Sequence, residues 1–66
     1  MQVTADVVGE GTREVTLDAD ATYADLCRAV GYSPHEVAVL VDDRPVPADR
    51  AVDAETVRVV RLLQGG

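Results

Sequence analysis

The sequence VRVVRLLQGG closes on Gly65 and Gly66, two residues without side chains, and that ending raises a chemical question. A carboxylate on Gly66 would have a pKa near ~3.3–3.7, so it is ionised and a poor electrophile at neutral pH. It cannot acylate an amine or accept sulfur until it is activated. Without Cβ, residues 65 and 66 can adopt extended or left-handed backbone conformations and thread a channel too narrow for a larger side chain. Gly66 is therefore the candidate reactive residue. Gly65, Gln64 and Leu63 are the residues an enzyme would read beside it.

Other residues with chemical potential are weaker candidates. Cys27 follows Leu26 on a short helical pattern and reads as a small buried hydrophobe rather than a sulfur-bearing group. His35 has no Cys or second His at ligand spacing, and Asp42 and Asp43 begin a turn, where Asp bonds its own backbone. No metal site is expected. The GEGT stretch at 9–12 is too short to cradle phosphate and lies between two alternating segments, so its glycines serve a hairpin turn.

Bulk properties limit the function further. At 66 residues the chain is one small domain, burying only about 60% of the surface its unfolded form exposes, which leaves little room for an enclosed active site. Chains of this size bind, carry or are modified, and no enzyme activity is expected. The apolar set holds thirteen Val, five Leu and two Tyr, with no Phe, Trp or Ile, favouring sheet over a thick core. Net charge is −6, all six basic residues are Arg, and Asp outnumbers Glu eight to four. Direct nucleic-acid binding, which needs cations to displace phosphate counterions, is disfavoured. Low Lys with high Asp matches the usage of salt-loving archaea. With one Cys there is no disulfide framework, and no apolar run approaches the ~20 residues of a membrane span. A monomer working in the cytoplasm, away from membranes, is expected.

The elements that must position the tail follow from periodicity. QVTADVV and REVTLD alternate and form a hairpin. In the next segment Thr22 is the N-cap, Asp25 occupies the capping-box position, and Tyr23, Leu26 and Val30 make an apolar stripe with Cys27 and Ala29 beside it. Gly31 suits a left-handed C-cap and Pro34 prevents resumption, giving a helix of about nine residues. EVAVLV reads as an inner strand, DDRP as a turn, Val46 as the start of a very short strand cut off by Pro47, and TVRVVRLL as the last strand. Val52 plugs the polar connection before it. Together these predict an α+β fold of the β-grasp type, a mixed sheet of four to five strands packed on one helix, with the first and last strands side by side at the centre. The domain should span 1–63, with 64–66 as a flexible tail.

The same alternation assigns faces. If Val57 and Val59 point at the helix, Arg58, Val60 and Leu62 point away, as does Leu40 on the neighbouring strand. Leu40, Val60 and Leu62, rimmed by Arg58, would form an exposed apolar patch, which on a small monomer tends to mark a docking site.

With these elements in place, TVRVVRLLQGG resembles the end of ubiquitin, where a final strand runs into a tail closing on Gly-Gly. TYADLCRAVGYSPHEVAVLVDDRPVP and VRVVRLLQGG carry a resemblance, over the whole chain, to the small archaeal modifier proteins, in particular the ubiquitin-like haloarchaeal type. Sulfur carriers of thiamine and molybdopterin synthesis share the fold and the ending. The resemblance implies a ubiquitin-type activating enzyme that uses ATP and magnesium to convert Gly66 to a glycyl-adenylate, so no cofactor is bound by this chain. It implies isopeptide bonds to lysines of target proteins. It further implies a thiocarboxylate, made with a sulfur donor and used by a tRNA-thiolating enzyme. The alternatives are a dedicated sulfur carrier for molybdopterin or thiamine synthesis, and an interaction module with an inert tail. A chain without Lys offers its own kind no side-chain amine, leaving only the Met1 amine as an acceptor.

Overall fold

The computed structural model describes residues 1–62, so the expected domain is seen as far as Leu62. Leu63, Gln64, Gly65 and Gly66, the expected recognition and reactive residues, lie outside the described residues. Strand β1 is Gln2–Val7 and strand β2 is Gly11–Thr16, paired antiparallel from Gln2 opposite Thr16 to Val7 opposite Gly11. Val3, Ala5 and Val7 are buried, as a period of two requires of a half-buried strand. The turn between the strands is Val8–Glu10, closed by the Glu10 N–H donating to the Val7 carbonyl at 2.9 Å. Gly9 and Gly11 have φ of 88° and 111°, a region where a side chain would strain the backbone. At the other end of the hairpin, the Leu17 N–H donates to the Met1 carbonyl at 2.7 Å and the Met1 amino group to the Leu17 carbonyl.

Helix α1 is Tyr23–Ala29, shorter than the expected nine residues. The capping box is complete: Thr22 Oγ1 accepts from the Asp25 N–H, and the Asp25 carboxylate accepts from the Thr22 N–H at 3.0 Å. Val30 is the C-cap and Gly31 follows at φ 97°, the left-handed conformation expected of it. Tyr23, Leu26, Cys27 and Val30 are buried, whereas Ala29 is exposed. One residue is about 100° around a helix, so Ala29 is turned away from the face that Val30 buries. Residues 47–55 cross the helix start. The Tyr23 N–H donates to the Arg50 carbonyl at 3.0 Å and the Ala24 N–H to the Ala48 carbonyl at 2.8 Å, two donors that a helix N-terminus otherwise leaves unpaired. Val52 is buried as a plug, and Asp53 Oδ1 accepts from the Tyr23 hydroxyl at 3.0 Å.

Strand β3 is Val37–Val41, β4 is Arg44–Val46 and β5 is Thr56–Arg61. Asp42 and Asp43 have φ of 53° and 66°, the positive values that a two-residue turn needs at both central positions to match strand twist. Val46 therefore ends β4 instead of starting it. Pro45 sits inside that strand because β4 is at the sheet edge, where no ladder donor is needed on the outer side. The sheet order is β2-β1-β5-β3-β4, with β5 parallel to β1 and antiparallel to β3. The first and last strands thus lie side by side at the centre, the β-grasp arrangement. The core between sheet and helix contains Val3, Val7, Val30, Val37, Val39, Val52, Val57 and Val59, with Tyr23 as its buried aromatic. Among the described residues, no helix is long and apolar enough to cross a membrane.

Candidate functional site

Strand β5 delivers the chain from the centre of the sheet towards Gly66. Val57 and Val59 are 2% and 0% exposed and face the helix. Arg58, Val60 and Leu62 point to the open face, as alternation demands. The β1 ladder accompanies β5 as far as the Val8 N–H, which donates to the Val59 carbonyl at 3.0 Å. The β3 side continues to the Leu62 N–H, which donates to the Glu36 carbonyl at 2.7 Å.

On the open face Leu40 and Val60 are half-buried and Leu62 is 47% exposed. The antiparallel register puts Leu40 opposite Arg58, and Val60 opposite Ala38. Arg58 therefore borders the patch between Leu40 and Asp6, with apolar Leu40 and Val60 on one side and Asp6 and Asp43 on the other. Val8, 47% exposed and one ladder step beyond Val7 beside Val59, extends the apolar surface next to Val60. Sequence reasoning missed it, although the QVTADVV alternation already placed Val8 on the face opposite Val7.

Arg58 Nε lies 3.8 Å from Asp6 Oδ2, and its Nη1 lies 3.9 Å from Asp43 Oδ1. These groups, with Leu40, Asp42, Thr56 and Val57, line a shallow depression of about 210 Å³. Exposed pairs at such distances contribute about 0–1 kcal/mol, so the guanidinium can leave them for a partner at small cost.

On the helix side of β5, Arg61 belongs to a cluster that the sequence reading did not identify. Its Nη1 lies 3.8 Å from Glu10 Oε2, and its guanidinium stands 5.6 Å from the centre of the Tyr32 ring. The Tyr32 hydroxyl donates to Glu10 Oε2. That bond raises the Tyr32 phenol above its ordinary pKa, because the carboxylate holds its proton. Arg13 completes the group, donating to Glu10 Oε1 at 3.2 Å and to the Val30 carbonyl at 3.0 Å. The members are separated by up to fifty-one positions, and no local signal links them.

Cys27 is 2% exposed, and burial pushes its thiol above the usual value, so it is poorly suited to act as a nucleophile. His35 is exposed just before β3, with its backbone N–H donating to Ser33 Oγ at 3.2 Å. No group of three or more His, Cys, Asp or Glu side chains could hold a metal among the described residues.

A five-stranded mixed sheet on one helix, with the first and last strands side by side at its centre, defines a protein of the ubiquitin-like β-grasp class. Within that class the chain belongs to the small archaeal modifier protein 2 family, whose model matches residues 1–63. It is 62% identical over 66 residues to small archaeal modifier protein 2 of Haloferax volcanii, covering 100% of both chains. An uncharacterized protein of Archaeoglobus fulgidus is 31% identical over 67 residues, again with 100% of both covered. The crystal structure of the H. volcanii modifier superposes with a TM-score of 0.76 at 61% identity, covering 97% of each chain. The fold is accordingly that of ubiquitin-like modifiers, and the protein is a modifier, not an enzyme.

Proposed function

We propose that this chain is joined through the carboxyl group of Gly66 to lysines of other proteins, after activation by a ubiquitin-type enzyme. The observation that supports this reading is the course of β5, the central strand, which ends at Arg61. The half-buried Val60 and the exposed Val8 and Leu62 lie on the open face there, Leu62 four positions before Gly66 in the sequence. A partner docked on the open face lies within reach of the tail. Leu40, Arg58, Val60 and Leu62 form the docking patch for the activating enzyme, with Val8 and Ala38 added. Leu63, Gln64 and Gly65 are read as the tail enters the enzyme's channel.

In the first step a Gly66 carboxylate oxygen attacks the α-phosphorus of ATP and pyrophosphate leaves. Magnesium and nucleotide are held by the enzyme, and ATP is available in the cytoplasm. A thiolate of the enzyme then attacks the acyl carbon and AMP leaves. A target lysine amine displaces that thiolate, losing a proton, and forms the isopeptide bond. Hydrosulfide attacking the adenylate carbon, with AMP leaving and a proton lost, gives instead a thiocarboxylate, which serves tRNA thiolation. Dedicated sulfur carriage for molybdopterin or thiamine synthesis would use the same activated carbon.

Mass spectrometry of cell extract, with and without deletion of Gly65 and Gly66, tests the reading. Glycine remnants on target lysines that vanish on deletion support conjugation. A Gly66 terminus with one oxygen exchanged for sulfur supports carriage, and its appearance without remnants would make the chain a dedicated carrier. Absence of both products would leave an interaction module with an inert tail.

A further inference from the structure

We propose that Glu10 is a positioning residue for the tail. Its carboxylate gathers Arg61, Tyr32 and Arg13 and so fixes the end of β5 from which residues 63–66 continue. This inference rests on the reading of Gly66 as the activated residue.

The argument begins with what the backbone provides. On the β1 side the ladder gives β5 its last bond at the Val59 carbonyl, because the chain turns away at Val8–Glu10. On the β3 side it ends at the Leu62 N–H. Residues 60–62 are thus held along one edge only, at the point where a defined direction matters for a tail that must enter an enzyme's channel.

Side chains replace the missing ladder. The turn that ends β1 presents Glu10, and Glu10 Oε2 accepts from the Tyr32 hydroxyl and lies 3.8 Å from the Arg61 guanidinium. Arg61 also stands over the Tyr32 ring at 5.6 Å, within the range of a cation–π contact. The other oxygen, Oε1, takes Arg13, which reaches back to the Val30 carbonyl at the helix C-terminus. One carboxylate thereby couples the hairpin turn, the end of the helix and the last residue of β5. Gly9 and Gly11, both at positive φ, permit the tight turn that aims Glu10 at this point. The contacts of Glu10 with Arg13, Tyr32 and Arg61 are exposed or nearly so and each contributes little to stability by itself. Directional control of the strand end accounts for their convergence better than stabilisation does.

The test combines two measurements on Glu10→Ala, Glu10→Gln and Tyr32→Phe. Amide hydrogen exchange reads the strand end directly. Glu10→Ala should speed exchange at Leu62 by about tenfold while leaving Thr4 and Val39 unchanged, since a local opening need not involve the core. Pyrophosphate exchange with the purified activating enzyme reads the tail. Its KM for Glu10→Ala should rise about fivefold with kcat unchanged, because a tail that starts in the wrong direction weakens capture but not the step after it. Tyr32→Phe should give a smaller rise, and Glu10→Gln, which still accepts from Tyr32, should fall between wild type and alanine. Unchanged Leu62 exchange, or faster exchange across the whole sheet, would overturn the proposal, as would a fall in kcat alone. Should the wild-type chain support no pyrophosphate exchange, the modifier reading fails. Leu62 exchange then decides by itself whether Glu10 holds the strand end.

Discussion

Substituting Val59 within β5 and Leu62 just past its end should separate stability from docking, because Val59 faces the core and Leu62 is exposed. Val59 is fully buried, and Val59→Ala removes two methyl groups. At about 0.8 kcal/mol per buried methylene-sized group the transfer loss is roughly 1.6 kcal/mol. An unfilled cavity of about 50 Å³, at about 24 cal/mol per Å³, adds roughly 1 kcal/mol. For a domain of this size each kcal/mol moves Tm by about 4–8 °C, so a fall of about 10–20 °C is expected. Leu62 is 47% exposed, and Leu62→Asp should cost no more than about 0.5 kcal/mol, a shift of a few degrees at most. Docking should respond in the opposite order. A carboxylate set against an apolar partner surface should weaken binding of the activating enzyme by about tenfold or more, equivalent to about 1.4 kcal/mol. Val59→Ala should bind normally at temperatures where it is folded. Thermal melts followed by circular dichroism, with titration of the enzyme against each variant, measure both quantities. Equal losses of Tm would refute the face assignment, and unchanged binding by Leu62→Asp would remove the open face as the docking site.

Three further outcomes are expected. The Thr22 backbone N–H, then its hydroxyl, bonds the Asp25 carboxylate and lowers its pKa below the ordinary 3.8. The contribution of that cap is therefore present above pH ~4 and lost as pH falls through the lowered value. The difference in Tm between wild type and Asp25→Asn should accordingly shrink between pH 7 and pH 2, and a constant difference would contradict the assignment. Tm should rise from low to molar potassium chloride, because ions screen repulsion among groups carrying a net −6, over about 10 Å at 0.1 M. A flat salt profile would exclude repulsion as a limit on stability. Finally, tryptic digests of conjugates should contain no branched peptide in which a side chain of this sequence accepts another copy, since it has no Lys and guanidinium groups are very poor acyl acceptors. Such a peptide in quantity would overturn the expectation of single additions.

What could be read from the sequence depended on whether its cause was local. Val3, Ala5 and Val7 buried themselves by a period of two, and Thr22 with Asp25 closed a capping box three residues apart. Gly31 adopted a positive φ, and Asp42 and Asp43 made a turn. Each needs only neighbours along the chain. Register is a different kind of information. Alternation put Leu40, Arg58, Val60 and Leu62 on one face, but only register set Arg58 between Leu40 and Asp6, where the apolar patch meets acidic side chains. β4 started at Arg44 because the positive-φ turn is two residues long, a backbone fact that the DDRP composition left open. Glu10, Arg13, Tyr32 and Arg61 were invisible for the strongest reason, since each reads alone as an ordinary surface residue. Their meeting is a product of topology.

The central position of β5 has a consequence for how the protein comes into being. The strand that joins the two halves of the sheet comes after the other four along the chain: Thr56 pairs with Thr4, and Val59 with Val39. Until residues 56–61 emerge, the nascent chain holds only the β1–β2 hairpin, the helix and the β3–β4 hairpin, with apolar faces that have no centre to close on. Pairings this distant in sequence are slow to form, because the loop between them must be closed first. Folding is therefore completed only once residues 56–61 have left the ribosome. A copy cut short before Thr56 would lack the centre of its sheet, so the domain cannot close until its most distant strand joins its first.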